Sequence, residues 1–156
     1  MADTGMIGTP SVELRPTREM LDLYNDYAHD VIDRRTFMDT FSEAARDYQV
    51  RVYACCLMGT HYHALLDTPG GNLSEFIRAL NTEYSKAFNR RHGRVGHTFE
   101  QRFESLVVQR EKYLRRVARY IALNPVKARL CHDAADWPWS SYRATAGLED
   151  RASWLH

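Results

Sequence analysis

The sequence VYACCLMGTHYHALLD, residues 52–67, contains two short apolar runs separated by Gly59-Thr60. The first run is rich in residues that favour β-strands, and Gly59-Thr60 is suited to a tight turn or a bulge. We therefore predict two strands, Gln49–Met58 and His61–Asp67. Their short connection favours an antiparallel hairpin.

The second predicted strand carries His61 and His63 at positions i and i+2. Because strand side chains alternate between faces, the two imidazoles should share one face, about 6–7 Å apart along the strand, and Tyr62 should occupy the other. Two imidazoles side by side supply half of a metal site. The alternative is that two polar strand residues simply face solvent, since the motif is short and lacks the remaining ligands.

The rest of the chain is predicted to alternate between helices and strands. Apolar residues with helical spacing occur at 17–28, 31–48, 72–89 and 111–123, and Phe103–Gln109 is typical of another strand. Asn124-Pro125 should end or kink the last helix, because proline disfavours helical backbone in the residue before it. The aromatic segment 137–142 is interpreted as a packed C-terminal cover, with a base-stacking platform as the alternative. No repeat or linker interrupts residues 1–156, which we assign to a single domain.

Composition narrows the class of protein. A chain of 156 residues with 44% hydrophobic and 12% aromatic residues has enough apolar side chains for one folded core. The sequence contains no apolar run of membrane-spanning length and no signal-peptide pattern, so a cytoplasmic location is expected, with no membrane partner. The three cysteines, at positions 55, 56 and 131, lack a C-x-x-C spacing. They are expected to be reduced thiols, with a zinc site as the less favoured alternative.

Charge is unevenly distributed, although the net charge is only +1. Residues 1–50 contain ten acidic and five basic side chains, a net charge of −5, whereas residues 86–129 contain twelve lysines and arginines against three glutamates, a net charge of +9. A chain polarised in this way can present one positive side to a polyanion. Solvated helix faces are the alternative, but the position beside the histidine strand favours nucleic acid.

The predicted helix at 111–123 leads to a second group of candidate residues. Tyr120 and Asn124 are four residues apart, so their side chains should lie on the same helix face. A phenol can act as a nucleophile, and an amide oxygen can bind a hard divalent cation. A buried tyrosine with one hydrogen bond and a helix C-cap asparagine are the alternative interpretations.

Five separated segments resemble the single-tyrosine HUH transposases, and most closely the REP-associated tyrosine transposase (transposase IS200-like) branch. They occur in the family's order and span a core of about residues 30–147, preceded by a divergent segment, 1–29. The five segments are Cys56–Leu66, Phe88–His97, Gln101–Phe103, Arg119–Ala128 and Trp137–Tyr142.

The resemblance implies an α+β, ferredoxin-like sandwich with an antiparallel sheet, helices packed on one face and the histidine pair on a central strand. It also implies that Tyr120 is the nucleophile and that His61, His63 and Asn124 hold Mg²⁺ or Mn²⁺. The implied activity is DNA transposition, in which single-stranded or hairpin DNA is cleaved through a 5′-phosphotyrosine and then rejoined. Basic side chains would contact DNA phosphates; the candidates are Arg90, Arg91, Arg94, His97, Arg102, Arg115, Arg116 and Arg119.

The sequence departs from the family pattern at two places. Gly59-Thr60 replaces the Pro-Asn that usually precedes the histidines. The family also opens with a clear strand, and residues 11–29 contain no good copy of it, so the first strand could be degenerate. Because an unpaired strand edge tends to recruit another strand, we predict one of two outcomes. Either Ser11–Arg15 pairs with the histidine strand, or a second copy of the chain covers that edge in a homodimer. Residues 17–30 would form a helix or long turn away from the basic side.

Two other functions remain open on the sequence alone. A degenerate first strand would favour a catalytically inactive, domesticated DNA-binding protein derived from such a transposase. An RNA-binding ferredoxin-like module is the second alternative, but no strand carries the aromatic and basic signature of that class.

Overall fold

The computed structural model describes residues 9–14, 31–99, 103–108 and 111–156. In chain order, its elements are β1 (Thr9–Leu14), α1 (Val31–Asp47), β2 (Arg51–Leu57), β3 (Tyr62–Asp67), α2 (Leu73–His92), β4 (Glu104–Val108), α3 (Glu111–Lys127), a 3₁₀ turn (Ala134–Asp136) and α4 (Tyr142–Thr145). The helix predicted at 17–28 and the expected position of segment 17–30 lie outside the described residues. None of the described helices has an apolar stretch that could span a bilayer.

The four strands form one antiparallel sheet in the order β2-β3-β1-β4. This order, with α1 between β1 and β2 and α2 between β3 and β4, is that of a ferredoxin-like fold and confirms the predicted class. The first of our two alternatives for the N-terminus is also confirmed: Ser11 pairs with Leu65, and Glu13 with His63. The first strand is therefore present and central, and it occupies the edge of β3 that a second copy would otherwise have covered.

Helices α1 and α2 pack on one face of the sheet, as predicted. Aromatic rings dominate this core: Phe37 lies 4.9 Å from Tyr62 and 5.2 Å from Tyr84, and Phe41 lies 5.7 Å from Phe76, measured between ring centroids. All five side chains are buried. Because large aromatic groups bury the most apolar area, this face supplies most of the hydrophobic stabilisation of the domain.

The third long helix, α3, packs on the opposite face. Ile121 of α3 joins Leu65, Ala54 and Cys56 in a separate, smaller core. Cys55 belongs to the larger core, so the two adjacent cysteines face opposite sides of β2, as strand alternation requires. Burial raises the pKa of both thiols to about 12, which keeps them neutral at physiological pH.

Helix α3 does not end at Asn124, so the first of the two predicted outcomes, an end or a kink at Asn124-Pro125, is wrong. Pro125 lies inside the helix, which continues to Lys127. The next turn is closed by the N–H of Ala128, which donates to Asn124 O at 2.8 Å, and by the N–H of Leu130, which donates to Pro125 O at 2.9 Å. The proline ring is fully buried, and packing of this kind offsets the hydrogen bond that the proline cannot donate.

The C-terminal segment covers the outer edge of β2. The Cys55 N–H donates to Ser141 Oγ at 2.9 Å, the Leu57 N–H donates to the Trp139 carbonyl at 2.8 Å, and Trp137 Nε1 donates to the Leu57 carbonyl at 2.9 Å. These bonds satisfy backbone groups that would otherwise be an open strand edge. Segment 137–142 is thus a packed cover, as interpreted from the sequence.

Candidate active site on the second face of the sheet

The two histidines lie side by side, as the strand alternation predicts. Their Nε2 atoms are 3.1 Å apart. His63 is only 7% exposed and sits in the middle of the sheet, opposite Cys56 on β2. His61 ends the turn through Gly59-Thr60, which is closed by the N–H of Met58 donating to the His61 carbonyl at 2.8 Å. The replacement of Pro-Asn by Gly-Thr therefore still gives a tight turn and leaves both imidazoles on one face.

Thr60 supports the first histidine from the turn. Its Oγ1 lies 3.1 Å from Nδ1 of His61. A hydroxyl can donate or accept a hydrogen bond, so it suits either tautomer of the ring. When the hydroxyl accepts from Nδ1–H, Nε2 of His61 presents its lone pair toward His63. An outer partner of this kind fixes the orientation of a metal-binding histidine.

Helix α3 brings Tyr120 to the same face. Its ring centroid lies 5.9 Å from that of His63, and the two rings meet edge to face. Tyr120 is 48% exposed, whereas its neighbour Ile121 is buried in the core beneath the helix. The buried isoleucine fixes the helix on the sheet, and the phenol is held beside the histidine pair with its side chain open to solvent.

Lys127 is a neighbour of Tyr120 that the sequence analysis missed. Its Nζ atom lies 4.5 Å from the centroid of the Tyr120 ring. The two residues are seven positions apart, which is two helical turns, so helical spacing could have revealed the pair. A cation at this distance is attracted by the ring and adds positive charge beside the phenol.

Asn124 lies one turn after Tyr120 on α3, as its spacing predicts. It is partly buried, and its Nδ2 atom has no hydrogen-bond partner among the described residues. Rotation of the amide by 180° exchanges its nitrogen and oxygen, because the two are assigned from the hydrogen-bond network. The asparagine can therefore present an unpaired carbonyl oxygen from this position.

The spacing of the two imidazoles fits a pair of ligands on a divalent ion. Two ligands at right angles around Mg²⁺ or Mn²⁺, each about 2.1 Å from the ion, would be about 3.0 Å apart. The observed 3.1 Å between His61 Nε2 and His63 Nε2 agrees with that spacing. Within the described parts of the chain, no group of three His, Cys, Asp or Glu side chains is arranged to hold a metal ion.

Tyr62 is too deeply buried to act as the nucleophile, whereas Tyr113 is a competitor of Tyr120. Burial raises the pKa of Tyr62 well above its usual range, and this residue faces the opposite core. Tyr113 is exposed on α3, two turns before Tyr120, and is the competitor that the helical spacing allows.

The predicted DNA-binding residues lie on two sides of the sheet, because α2 and α3 pack on opposite faces. Arg90 and Arg91 end α2, Arg94 and His97 follow it, and Arg102 lies outside the described residues. The remaining three, Arg115, Arg116 and Arg119, are exposed on α3. Arg91 pairs with the buried Asp33 at 2.7 Å, a partner that the sequence did not suggest.

A family model, a relative and a solved structure agree on the proteins that this chain resembles. The family model described as transposase IS200 like matches residues 24–124. A curated REP-associated tyrosine transposase of Haemophilus influenzae is 26% identical over 139 residues, which cover 82% of this chain and 78% of that protein. A solved REP-associated tyrosine transposase bound to a REP hairpin has a TM-score of 0.72 at 22% identity, covering 96% of this chain and 88% of the other. At that identity, the structural likeness shows a shared fold.

Proposed function

Because this chain belongs to the family of IS200-like transposases, we propose that it is a metal-dependent tyrosine transposase that cuts and rejoins hairpin-forming, single-stranded DNA. The observation that carries the proposal is the contact between Tyr120 and His63, whose ring centroids are 5.9 Å apart. A phenol and two imidazoles thus share one face of the sheet, and an asparagine with an unpaired amide nitrogen lies one turn after the phenol on the same helix. That set combines a nucleophile with ligands for a divalent cation.

Tyr120 is the proposed nucleophile. Its Oη forms a bond to the scissile phosphorus while the bond from phosphorus to the 3′ oxygen breaks. The phenolic proton is lost, and the leaving 3′ oxygen takes up a proton, so the products are a 5′-phosphotyrosine and a free 3′-OH. A second 3′-OH can reverse the exchange and join strands. A phenol, with a pKa near 10, leaves more readily than an alkoxide, which suits a reversible reaction.

His61, His63 and Asn124 would hold Mg²⁺ or Mn²⁺. When bound, such an ion polarises the scissile phosphate and offsets the charge that develops on it. The protein's own part is to hold these ligands ready. Thr60 orients His61, and the buried position of His63 limits its movement. Lys127 places a further positive charge next to the attacking phenol.

Single-stranded or hairpin DNA is the proposed substrate. Residues 86–129, which include α3, carry a net charge of +9. Arginines that contact phosphates position DNA without reading its sequence. A protein of the same fold has been solved with a REP hairpin bound, which supports a substrate of that shape. A degenerate first strand would favour the inactive, DNA-binding alternative, but β1 lies at the centre of the sheet, paired on both sides.

The test is to trap the covalent intermediate. The full chain is incubated with Mn²⁺ and labelled hairpin oligonucleotides taken from the DNA that flanks its gene. A labelled adduct should appear with the wild type and disappear with Tyr120→Phe, which removes only the hydroxyl. Tyr113→Phe is the matched control and should keep the adduct. An adduct that survives Tyr120→Phe but not Tyr113→Phe would reject the assignment, and wild-type DNA binding without any adduct would favour the inactive relative.

A further inference from the structure

The distance between the two imidazoles suits two different arrangements of protons. At 3.1 Å, Nε2 of His61 and Nε2 of His63 can bind one divalent ion together, and they can also share an N–H···N hydrogen bond. The two arrangements exclude each other, because an Nε2 atom that carries a proton has no lone pair for a metal. Binding of an ion by this pair therefore depends on which nitrogen of each ring carries the proton.

Thr60 contacts the other ring nitrogen of the first histidine. Its Oγ1 lies 3.1 Å from Nδ1 of His61, and both residues are half-buried. The turn that carries Thr60 is closed by the N–H of Met58, which donates to the His61 carbonyl at 2.8 Å. A threonine side chain is also restricted about its Cα–Cβ bond, because Cβ is branched. The hydroxyl is therefore held against the ring by the local backbone.

The direction of this hydrogen bond decides where the proton of His61 lies. When the hydroxyl donates to Nδ1, the ring proton is on Nε2, where it points at Nε2 of His63 and closes the pair. When the hydroxyl accepts from Nδ1–H, Nε2 of His61 is free to bind a metal. The hydroxyl changes from donor to acceptor by rotating about its C–O bond, so no heavy atom has to move. Each neutral ring carries one N–H in both arrangements, so no proton is released.

We propose that Thr60 is a positioning residue, whose hydroxyl stabilises the Nδ1–H tautomer of His61 and thereby raises the affinity of the histidine pair for a divalent ion. The metal on which it acts is part of the proposed function, so the inference rests on that function. Without the hydroxyl, Nδ1–H would lose its acceptor, and the ring would favour the arrangement closed by Nε2–H. Outer partners of metal-binding histidines typically contribute 10–100-fold in metal affinity.

This role belongs to the residue that the present chain carries. Asparagine usually precedes the first histidine in the family that the sequence resembles, and this chain has threonine there. An amide donates from its nitrogen and accepts on its oxygen, so it must turn over to exchange the two roles. The threonine hydroxyl performs both with one atom in one position.

A metal titration without DNA tests the inference. The full chain is titrated with Mn²⁺ at about pH 8, where ordinary histidines are neutral, and the free ion is measured by electron paramagnetic resonance. Thr60→Val keeps the shape of the side chain and removes the hydroxyl, so its Mn²⁺ affinity should fall about tenfold or more. Thr60→Ser keeps a hydroxyl at the same position and should stay within about threefold of the wild type.

The tautomer of His61 is the second readout, and a merely structural role of Thr60 would not change it. Long-range ¹H–¹⁵N spectra of the ¹⁵N-histidine-labelled chain in EDTA distinguish Nδ1–H from Nε2–H, and the His61 signals are assigned by their absence from His61→Ala. The Nε2–H fraction of His61 should rise in Thr60→Val and remain at the wild-type value in Thr60→Ser. Thr60→Ala removes the hydroxyl in a second way and should agree with Thr60→Val.

A remote threonine provides the matched control. Thr36 lies on α1, where its Oγ1 donates to the Ile32 carbonyl at 2.8 Å. Thr36→Val should leave both the Mn²⁺ affinity and the His61 tautomer unchanged. The Tm of each variant is measured first, so that only folded chains are compared. Mn²⁺ affinity in Thr60→Val and Thr60→Ala equal to that of the wild type, or an unchanged His61 tautomer in both, would overturn the proposal.

This experiment fails independently of the one on Tyr120. A Tyr120 adduct together with equal Mn²⁺ affinity in the wild type and Thr60→Val would reject the role of Thr60 and leave the proposed activity intact. Loss of affinity in Thr60→Val without any Tyr120 adduct would keep the role of Thr60 and reject the activity. A wild-type chain that binds no Mn²⁺ would reject both the role of Thr60 and the metal dependence of the proposed reaction.

Discussion

Tyr62 and Tyr120 carry the same phenol on opposite faces of one sheet, and they differ in almost everything else. Tyr62 is 2% exposed and lies among aromatic rings, whereas Tyr120 is 48% exposed beside a histidine and a lysine. Strand β3 has one residue on each side: Tyr62 faces α1 and α2, and its neighbour His63 faces α3, which carries Tyr120. One strand thus serves the core on one side and the candidate site on the other.

The comparison shows which face of the sheet stabilises the fold and which face can perform chemistry. Burial raises the pKa of Tyr62 and leaves its hydroxyl without a hydrogen bond to any described residue. A phenol of this kind does not ionise near neutral pH and cannot reach a substrate. The second face has a smaller core and leaves polar atoms unpaired or open. Substitutions on the first face should therefore change stability, and those on the second should change activity.

The largest effect is expected from the histidine pair. His61→Ala or His63→Ala should reduce adduct formation roughly a thousandfold or more, since several kcal/mol of charge stabilisation on the phosphate would be lost. EDTA should do the same to the wild type, and Mn²⁺ should restore activity better than Mg²⁺ because imidazole is a softer ligand than water or carboxylate. Gel analysis of the labelled adduct measures both effects.

His132→Ala, at an exposed position outside the site, is the control and should keep activity. Full adduct formation in EDTA would contradict a metal-dependent reaction, and would leave the histidines as polar residues of the open face.

The aromatic face should give the largest loss of stability. Phe41 is 1% exposed and contacts the rings of Phe76 and Trp154 at 5.7 Å. Phe41→Ala should lower the free energy of unfolding by about 3–5 kcal/mol, through lost burial and the cavity left behind. Urea denaturation measures the change. Val95→Ala, at a side chain that is 98% exposed, should stay within about 0.5 kcal/mol. A cost for Phe41→Ala as small as that of Val95→Ala would mean that this face does not hold the fold.

A smaller effect should tell whether DNA contacts one face or both. Arg119 lies on α3 and Arg90 at the end of α2, on helices that pack on opposite faces. Replacing an arginine that touches a phosphate should reduce the slope of log K against log salt by about 0.7–0.9. Fluorescence anisotropy with a labelled hairpin in 50–200 mM NaCl gives the slopes of Arg119→Met and Arg90→Met. A reduction in both would place DNA across both sides of the sheet. A wild-type slope near zero would mean that these arginines are only a solvated surface.

The sequence predicted the site better than its surroundings. The period of two residues in β3 and the spacing of four in α3 are local rules, so the common faces of His61 with His63 and of Tyr120 with Asn124 followed directly. Only the family resemblance predicted that the histidine face of β3 meets the Tyr120 face of α3, and only the resemblance predicted the order of the strands. The first strand was hard to recognise because Thr9–Leu14 is short, and only its pairing with strands on both sides gives it a central place.

Other features depended on tertiary contacts that no local pattern contains. Pro125 stays inside α3 because it is buried, which overrides its local preference to end a helix. Lys127 differs from Pro125, because its spacing of seven residues from Tyr120 on one helix is a local pattern that the sequence alone contains.

The smallest effect is expected from Tyr62→Phe, which makes in the core the same change that Tyr120→Phe makes in the candidate site. Because the Tyr62 hydroxyl has no partner among the described residues, its removal relieves a buried unpaired group and costs no packing. The free energy of unfolding should stay the same or rise by up to about 1 kcal/mol, and adduct formation should be unchanged. Urea denaturation and the adduct gel measure the two quantities on one preparation. A loss of more than about 1 kcal/mol would show that the hydroxyl has a partner such as a buried water, and a loss of adduct at full stability would mean that the two faces of the sheet are not independent.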